Sequence, residues 1–208
     1  MKELRKRVPK LEFSISYTTR DARGAERNGC EYYFVTREQF EQMMAGDEFL
    51  ERADVFGNYY GTAKRFLRKA EKERSDLLLD IDVQGAEQIT RKIPEAVSIF
   101  ILPPNRSELE KRLRERGQNR EEDIQRRLDD ARREIENYAK YDYILVNDQL
   151  DESVEGLKAI VLSERLRRNG QSDPSLSATA DNYRLENVRE RLQPILQSFR
   201  EVAATGGK

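Results

Sequence analysis

A chain of 208 residues with 37% apolar content can fill one good-sized core, or one core and a small lobe, and its 38 basic and 39 acidic side chains leave a net charge of -1 that draws it toward neither nucleic acid nor an anionic membrane. The absence of histidine and the single cysteine, Cys30, exclude Ser-His and Cys-His triads, ordinary zinc sites and an internal disulfide. No apolar run approaches the roughly 18 residues of a membrane span and no signal-like segment leads the chain, so a cytoplasmic protein is expected, its chemistry run by carboxylates, arginines, lysines and hydroxyls.

In chain order, Lys2 to Arg7 read as a charged helix already under way, with no Ser, Thr, Asp or Asn in front to cap it. LEFSIS, EYYFV and EFLERADVF, between 11 and 56, are strand-like pieces separated by a polar loop at 17–30 and a helix near 37–46, which Thr36 and Gln39 open as a capping box. A Gly-Asn turn at 57–58 follows. Three near-continuous apolar runs, LLLDID at 77–82, AVSIFIL at 96–102 and YILVN at 143–147, have the length and composition of parallel strands covered on both faces. Helices are expected between them: at 84–92, at 105–117 behind a capping box of Asn105 and Glu108, and at 120–138 with Ile124, Leu128, Ala131, Ile135 and Tyr138 on one stripe. This alternation is the signature of an α/β domain, with a small mixed lobe inserted. The run RNGQSDPSLSATADN reads as a linker over 169–181, and a last amphipathic helix is expected within 182–208 as a weakly docked appendage.

Two carboxylates, Asp80 and Asp82, close the apolar run at 77–82, where open α/β sheets hold their ligands. An apolar strand ending in Asp can hold Mg²⁺ or its waters; Asp82 can equally cap the helix that follows. In SISYTTRDARGAERNGCEYYF, Arg20 and Arg23 stand among hydroxyls and tyrosines, a pattern that can fork onto a phosphate or lie in a solvated turn. Glu51 interrupts an apolar strand, and a buried unpaired carboxylate is costly, so a partner that donates protons is expected.

Together, SxSxTTRxxR, GNYYGT, LLLDIDVQGA, FILPP and RLRERG, in this order over residues 3–167, resemble the guanylate kinases. The resemblance implies a nucleoside-monophosphate kinase fold: a parallel-sheet core flanked by helices within residues 1–168, a mixed α+β GMP-binding lobe over about 17–75, a helical lid over about 112–127, and a C-terminal helical extension. It implies transfer of a phosphoryl group from ATP to GMP in purine metabolism, with Mg²⁺. Carried over by motif, Glu51 reads the guanine edge with Ser16, Thr62 and Asp82. Arg20, Arg23, Tyr32 and Tyr60 grip the monophosphate. Asp80 supports the metal through water, and Arg112, Arg116 and Arg127 close around the phosphoryl group beside Arg20. Without the resemblance, the lid arginines would read as surface pairs, since Glu108 and Arg112, Glu122 and Arg126, and Asp123 and Arg127 all stand four apart.

The family precedes its first helix with a strand and a phosphate loop, GxxxxGKS/T, and no such run occurs here; GAERNG at 24–29 is followed by Cys30 and Glu31. The expectation is that about twenty residues precede Lys2 in the natural enzyme, that the chain as printed barely catalyses transfer, and that strands beside the absent one have exposed edges. The alternative reading is a non-catalytic guanylate-kinase-like binding module. Oligomeric state is not legible.

Overall fold

The computed structural model describes residues 1–115 and 120–200. In chain order its elements are α1 (Lys2–Arg7), β1 (Leu11–Phe13), β2 (Tyr17–Thr18), β3 (Tyr33–Phe34), α2 (Arg37–Ala45), β4 (Phe49–Val55), β5 (Asn58–Ala63), α3 (Lys64–Glu73), β6 (Asp76–Leu78), α4 (Val83–Lys92), β7 (Ile99–Leu102), α5 (Arg106–Glu115), α6 (Glu121–Ile135), a 3₁₀ turn (Tyr138–Lys140), β8 (Tyr143–Val146), α7 (Leu150–Arg168), α8 (Pro174–Asp181) and α9 (Leu185–Arg200). They divide into two compact units, Val8–Ala96 and the remainder.

In the unit Val8–Ala96, four strands form a sheet in the order β3-β2-β5-β4, and β1 pairs with β6 in parallel. The capping box of α2 is complete: Gln39 N donates to Thr36 Oγ1 at 3.1 Å and Thr36 N to Gln39 Oε1 at 2.9 Å. The β4–β5 turn falls one residue before the expected Gly-Asn pair. Phe56 and Gly57 both take positive φ, 56° and 78°, as a two-residue hairpin that matches strand twist requires, and Val55 faces Asn58. Asp54 Oδ1 steadies it by accepting from Gly57 N at 2.8 Å. The expected strand at 77–82 ends at Leu78, which leaves Asp80 and Asp82 in the connection to α4.

In the other unit, β7 and β8 pair in parallel from Ile99↔Tyr143 to Leu102↔Val146. Leu102, Ile135 and Ile144 pack with Val188, Leu192, Leu196 and Phe199 of α9 in one apolar cluster, and Leu113, Ile124 and Leu128 join α5 to α6. The segment expected as a linker contains α8, because Asp173 caps its start, accepting from Ser175 N and Leu176 N, and Pro174 takes the first turn, where no N–H is needed. Nor is the last helix a weak appendage. Its apolar stripe supplies four of that cluster's seven buried residues, and Ile144 N donates to Tyr183 O at 2.7 Å. At α5 the expected box is half made. Asn105 Oδ1 accepts from Glu108 N at 2.8 Å, but the Glu108 carboxylate turns to Arg112. Helix α7 was not anticipated from the sequence because it buries residues around much of its circumference, from Ser153 and Val154 to Ile160 and Glu164, and shows no single apolar stripe. Among the described residues β6 has β1 as its one strand partner and β7 has β8, and Ile101 is 39% exposed.

Truncating Phe199 to Ala should lower unfolding free energy by about 3–5 kcal/mol, read from urea denaturation. A loss below about 1 kcal/mol would mean that α9 is not part of the core.

Candidate active site

The register of the four-stranded sheet decides which side chains share a face. Glu51 of β4 lies opposite Thr62 of β5, and Ala53 lies opposite Tyr60, which in turn faces Thr18 of β2. Side chains two apart along a strand point the same way, so Glu51 and Thr62 form one row, with Tyr60 and Thr18 in the next, about 6.8 Å along. One more step along β2 brings Ser16 toward the Glu51 row and Arg20 toward the far end. A carboxylate and a guanidinium therefore bracket one sheet face.

Glu51 is 3% exposed and no ion pair reaches it among the described residues. Burial pushes its carboxyl above the usual range; Thr62, through hydroxyl and amide, and distant Lys92 pull it down, while Asp82 pushes it further up. The Thr62 hydroxyl stands against the acid without completing a hydrogen bond among the described residues. Here is a buried acceptor and a buried hydroxyl with room in their hydrogen-bonding capacity. A Cβ at Gly85 would lie 2.6 Å from Glu51 Oε2, so a side chain there and the carboxylate exclude one another. Asp82 caps α4, its Oδ1 accepting from Gly85 N at 2.8 Å; the bland role foreseen for it is real, and its charge still reaches Glu51.

At the other end Arg20, 8% exposed, donates from Nε to Tyr60 Oη at 3.2 Å and lies over the Tyr32 ring at 5.3 Å. Its fork is taken. Nη1 and Nη2 each meet a Glu26 oxygen at 3.0 Å, and Arg23 N donates to the same carboxylate at 2.7 Å. Arg20 holds the Glu26 carboxyl below its usual range. The fork expected of Arg20 and Arg23 on a phosphate is thus, in this state, Arg20 on a carboxylate. The Arg23 guanidinium has no hydrogen-bond or ion-pair partner among the described residues. Asp80, exposed beyond β6, is close enough for its charge to raise the proton affinity of Tyr32, which burial raises first.

In the other unit Arg112 donates to Glu108 Oε1 at 2.8 Å, Asn147 O at 2.8 Å and Asp148 O at 3.3 Å, so it is seated at the end of β8. Its pairing with Glu108 is the helix-surface pair anticipated, whereas Arg126 takes Asp123 rather than Glu122. Arg127 is half-buried on α6, and Arg116 lies outside the described residues. Sequence reasoning missed Glu26 and Gly85. A carboxylate three residues after Arg23 was a usable signal for the first, but only close approach reveals the second.

Comparison with known proteins gives the family: a family model described as guanylate kinase matches residues 2–164. The chain belongs to the guanylate kinase family. It is 54% identical over 206 residues to the guanylate kinase of Koribacter versatilis, covering 96% of this chain and 88% of that one. It is 50% identical over 165 residues to that of Carboxydothermus hydrogenoformans, covering 79% and 81%. The crystal structure of guanylate kinase from Anaplasma phagocytophilum superposes with a TM-score of 0.65 at 34% identity, covering 83% of this chain and 80% of that one. The protein is accordingly a phosphotransferase acting between ATP and GMP, with the α/β fold of nucleoside-monophosphate kinases.

In this guanylate kinase, Gly85→Ala should displace the Glu51 carboxylate. Weaker GMP binding by about tenfold or more, at an unchanged far-UV spectrum, is the expected calorimetric outcome. Unaltered affinity would show that Glu51 does not depend on the space at Gly85.

Proposed function

We propose that GMP lies along the β4–β5–β2 face, its guanine edge on Glu51 and its phosphate at the Arg20 end. The observation that carries this reading is the buried Glu51 carboxylate, without an ion-pair partner among the described residues, one row from Tyr60, whose hydroxyl Arg20 holds. Guanine offers two adjacent donors, N1–H and the 2-amino group, to a bidentate carboxylate. Adenine presents an acceptor at that position and would leave the acid desolvated and unmatched, which is a strong basis for rejection. Ser16, Thr62 and Asp82 supply the neighbouring polar atoms on the base side.

Arg23 is free to meet the phosphate first, and Arg20 follows by exchanging the Glu26 carboxylate for phosphate oxygens of similar geometry. Tyr32 and Tyr60 flank it and can donate their hydroxyl protons. The exposed Asp80 carboxylate would support an Mg²⁺ through water. When bound, that ion neutralises phosphate charge. By motif, Arg112, Arg116 and Arg127 do the same for the transferring group, since phosphoryl transfer depends on positioning and charge stabilisation more than on covalent help. This substrate pair supports a role in purine nucleotide metabolism, which we place in the cytoplasm.

Replacing Glu51 with Gln should weaken GMP binding about a hundredfold or more, two hydrogen bonds to a charged group being at stake. The pH dependence has a definite sign. The folded pKa of Glu51 lies above its unfolded value, so its ionisation costs folding stability above that pKa, and the cost shrinks as pH falls below it and is gone below the unfolded pKa. GMP needs the ionised acid, so wild-type affinity should begin to drop on acidification at a pH above the ordinary glutamate range of about 4.3. A Glu51→Gln protein that binds GMP as tightly as wild type, or with the same pH profile, would overturn the reading.

A further inference from the structure

Strand β4 is the edge of its sheet, paired with β5 on one side only, so the outward-facing peptide groups of residues 50, 52 and 54 have no strand to meet. Helix α4 meets them with three side chains spaced four apart. Gln84 Nε2 donates to Asp54 O at 3.3 Å. Gln88 binds both groups of Arg52, its Nε2 donating to the carbonyl at 2.5 Å and its Oε1 accepting from the amide at 3.2 Å. Lys92 Nζ donates to Leu50 O at 2.6 Å. The positions 84, 88 and 92 advance as 54, 52 and 50 recede, so helix and strand run antiparallel. Four helical residues rise about 6.0 Å and two strand residues about 6.8 Å, close enough for three rungs to stay in step.

The two rungs at Arg52 and Leu50 bracket Glu51. They also clamp an irregularity, because Phe49 pairs with Ala63 and Glu51 with Thr62, which leaves Leu50 as an extra, unpaired residue. Such a bulge re-aims the side chains around it and weakens the ladder locally. A carboxylate that must meet two donors on a purine at once tolerates little displacement of the backbone that carries it. An edge strand with a bulge beside that residue is poorly suited to the task unless something fixes it.

We propose that Gln88 is a positioning residue for guanine recognition: its carboxamide takes the place of a neighbouring strand at Arg52 and, with Lys92 on the bulged carbonyl, sets the aim of Glu51. The same contacts fix α4 against β4 and so keep Gly85 under the carboxylate. This inference rests on Glu51 reading the base, and the experiment separates the two.

The test is calorimetric binding of GMP and IMP to the full chain. IMP keeps N1–H but lacks the 2-amino group, so the ratio of the two dissociation constants reports whether the carboxylate reaches both donors. Gln88→Leu, similar in size, removes both rungs at Arg52; Gln88→Glu keeps an acceptor for the amide and loses the donor. Gln88→Leu should raise the GMP dissociation constant about tenfold, the worth of one hydrogen bond to a charged group, and shrink the GMP/IMP preference while IMP affinity changes little. Gln88→Glu should fall between it and wild type, and it carries the test if the leucine variant does not fold. Gln84→Leu, at the rung remote from the bulge, should leave the preference near wild type. A wild-type preference in the Gln88 variants, with the preference lost in Glu51→Gln, would overturn the role of Gln88. A preference that survives Glu51→Gln would instead overturn the reading of Glu51.

Discussion

Taking the Glu51 carboxylate out of water without a countercharge is the constraint around which the Val8–Ala96 unit is arranged. An unmatched buried carboxylate shifts toward its protonated form and weakens the fold, so its surroundings must supply compensation that stops short of neutralising it. Thr62 provides partial compensation across the β4–β5 pair. Lys92, the nearby cation named among its influences, is committed to Leu50 O and contributes only at a distance. The acid is left with acceptor capacity, which the guanine edge is proposed to complete. Gly85, without a side chain, and the edge-sealing stripe of α4 follow from the same need to hold one carboxylate in one place.

The phosphate end follows the opposite logic. Arg20 is buried and always charged, and an unpaired guanidinium there would be as costly as an unpaired acid. Glu26 satisfies it through two parallel contacts of the kind a phosphate would make. The resting state thus carries an internal anion where the ligand's anion is proposed to go, with Arg23 left free as the point of first contact. One end of the face waits for donors and the other is occupied by a replaceable acceptor.

Much of the fold could be read in advance because the signals were local. Thr36 with Gln39, the stripe from Ile124 to Tyr138, and the apolar runs at 96–102 and 143–147 each depend on residues a few positions apart, and they produced α2, α6, β7 and β8, with β7 confined to Ile99–Leu102. The failures were long-range. Helix α7 is covered on several sides, by its chain neighbours α8 and β8 and by the distant α1, which erased its stripe, and the cluster that gives α9 its importance joins residues 102 and 135 to 199. In the site, Glu51 was conspicuous as a charge in an apolar strand. Glu26 looked like one more charge in a polar loop, because its bond to Arg20 depends on how that loop folds back. Arg112 could be nominated by motif, but nothing in the sequence shows that it rests on the carbonyls of Asn147 and Asp148.

The central claim is that base and phosphate are held on one continuous face, so that a single nucleotide spans both ends. It is tested most directly by titrating guanosine, inorganic phosphate and GMP separately and in competition. Joining the two fragments makes the second contact intramolecular, at an effective concentration in the millimolar range or above. GMP should therefore bind far more tightly than guanosine, and each fragment should be displaced by GMP. Guanosine or phosphate binding undiminished to the GMP-saturated protein would contradict the account.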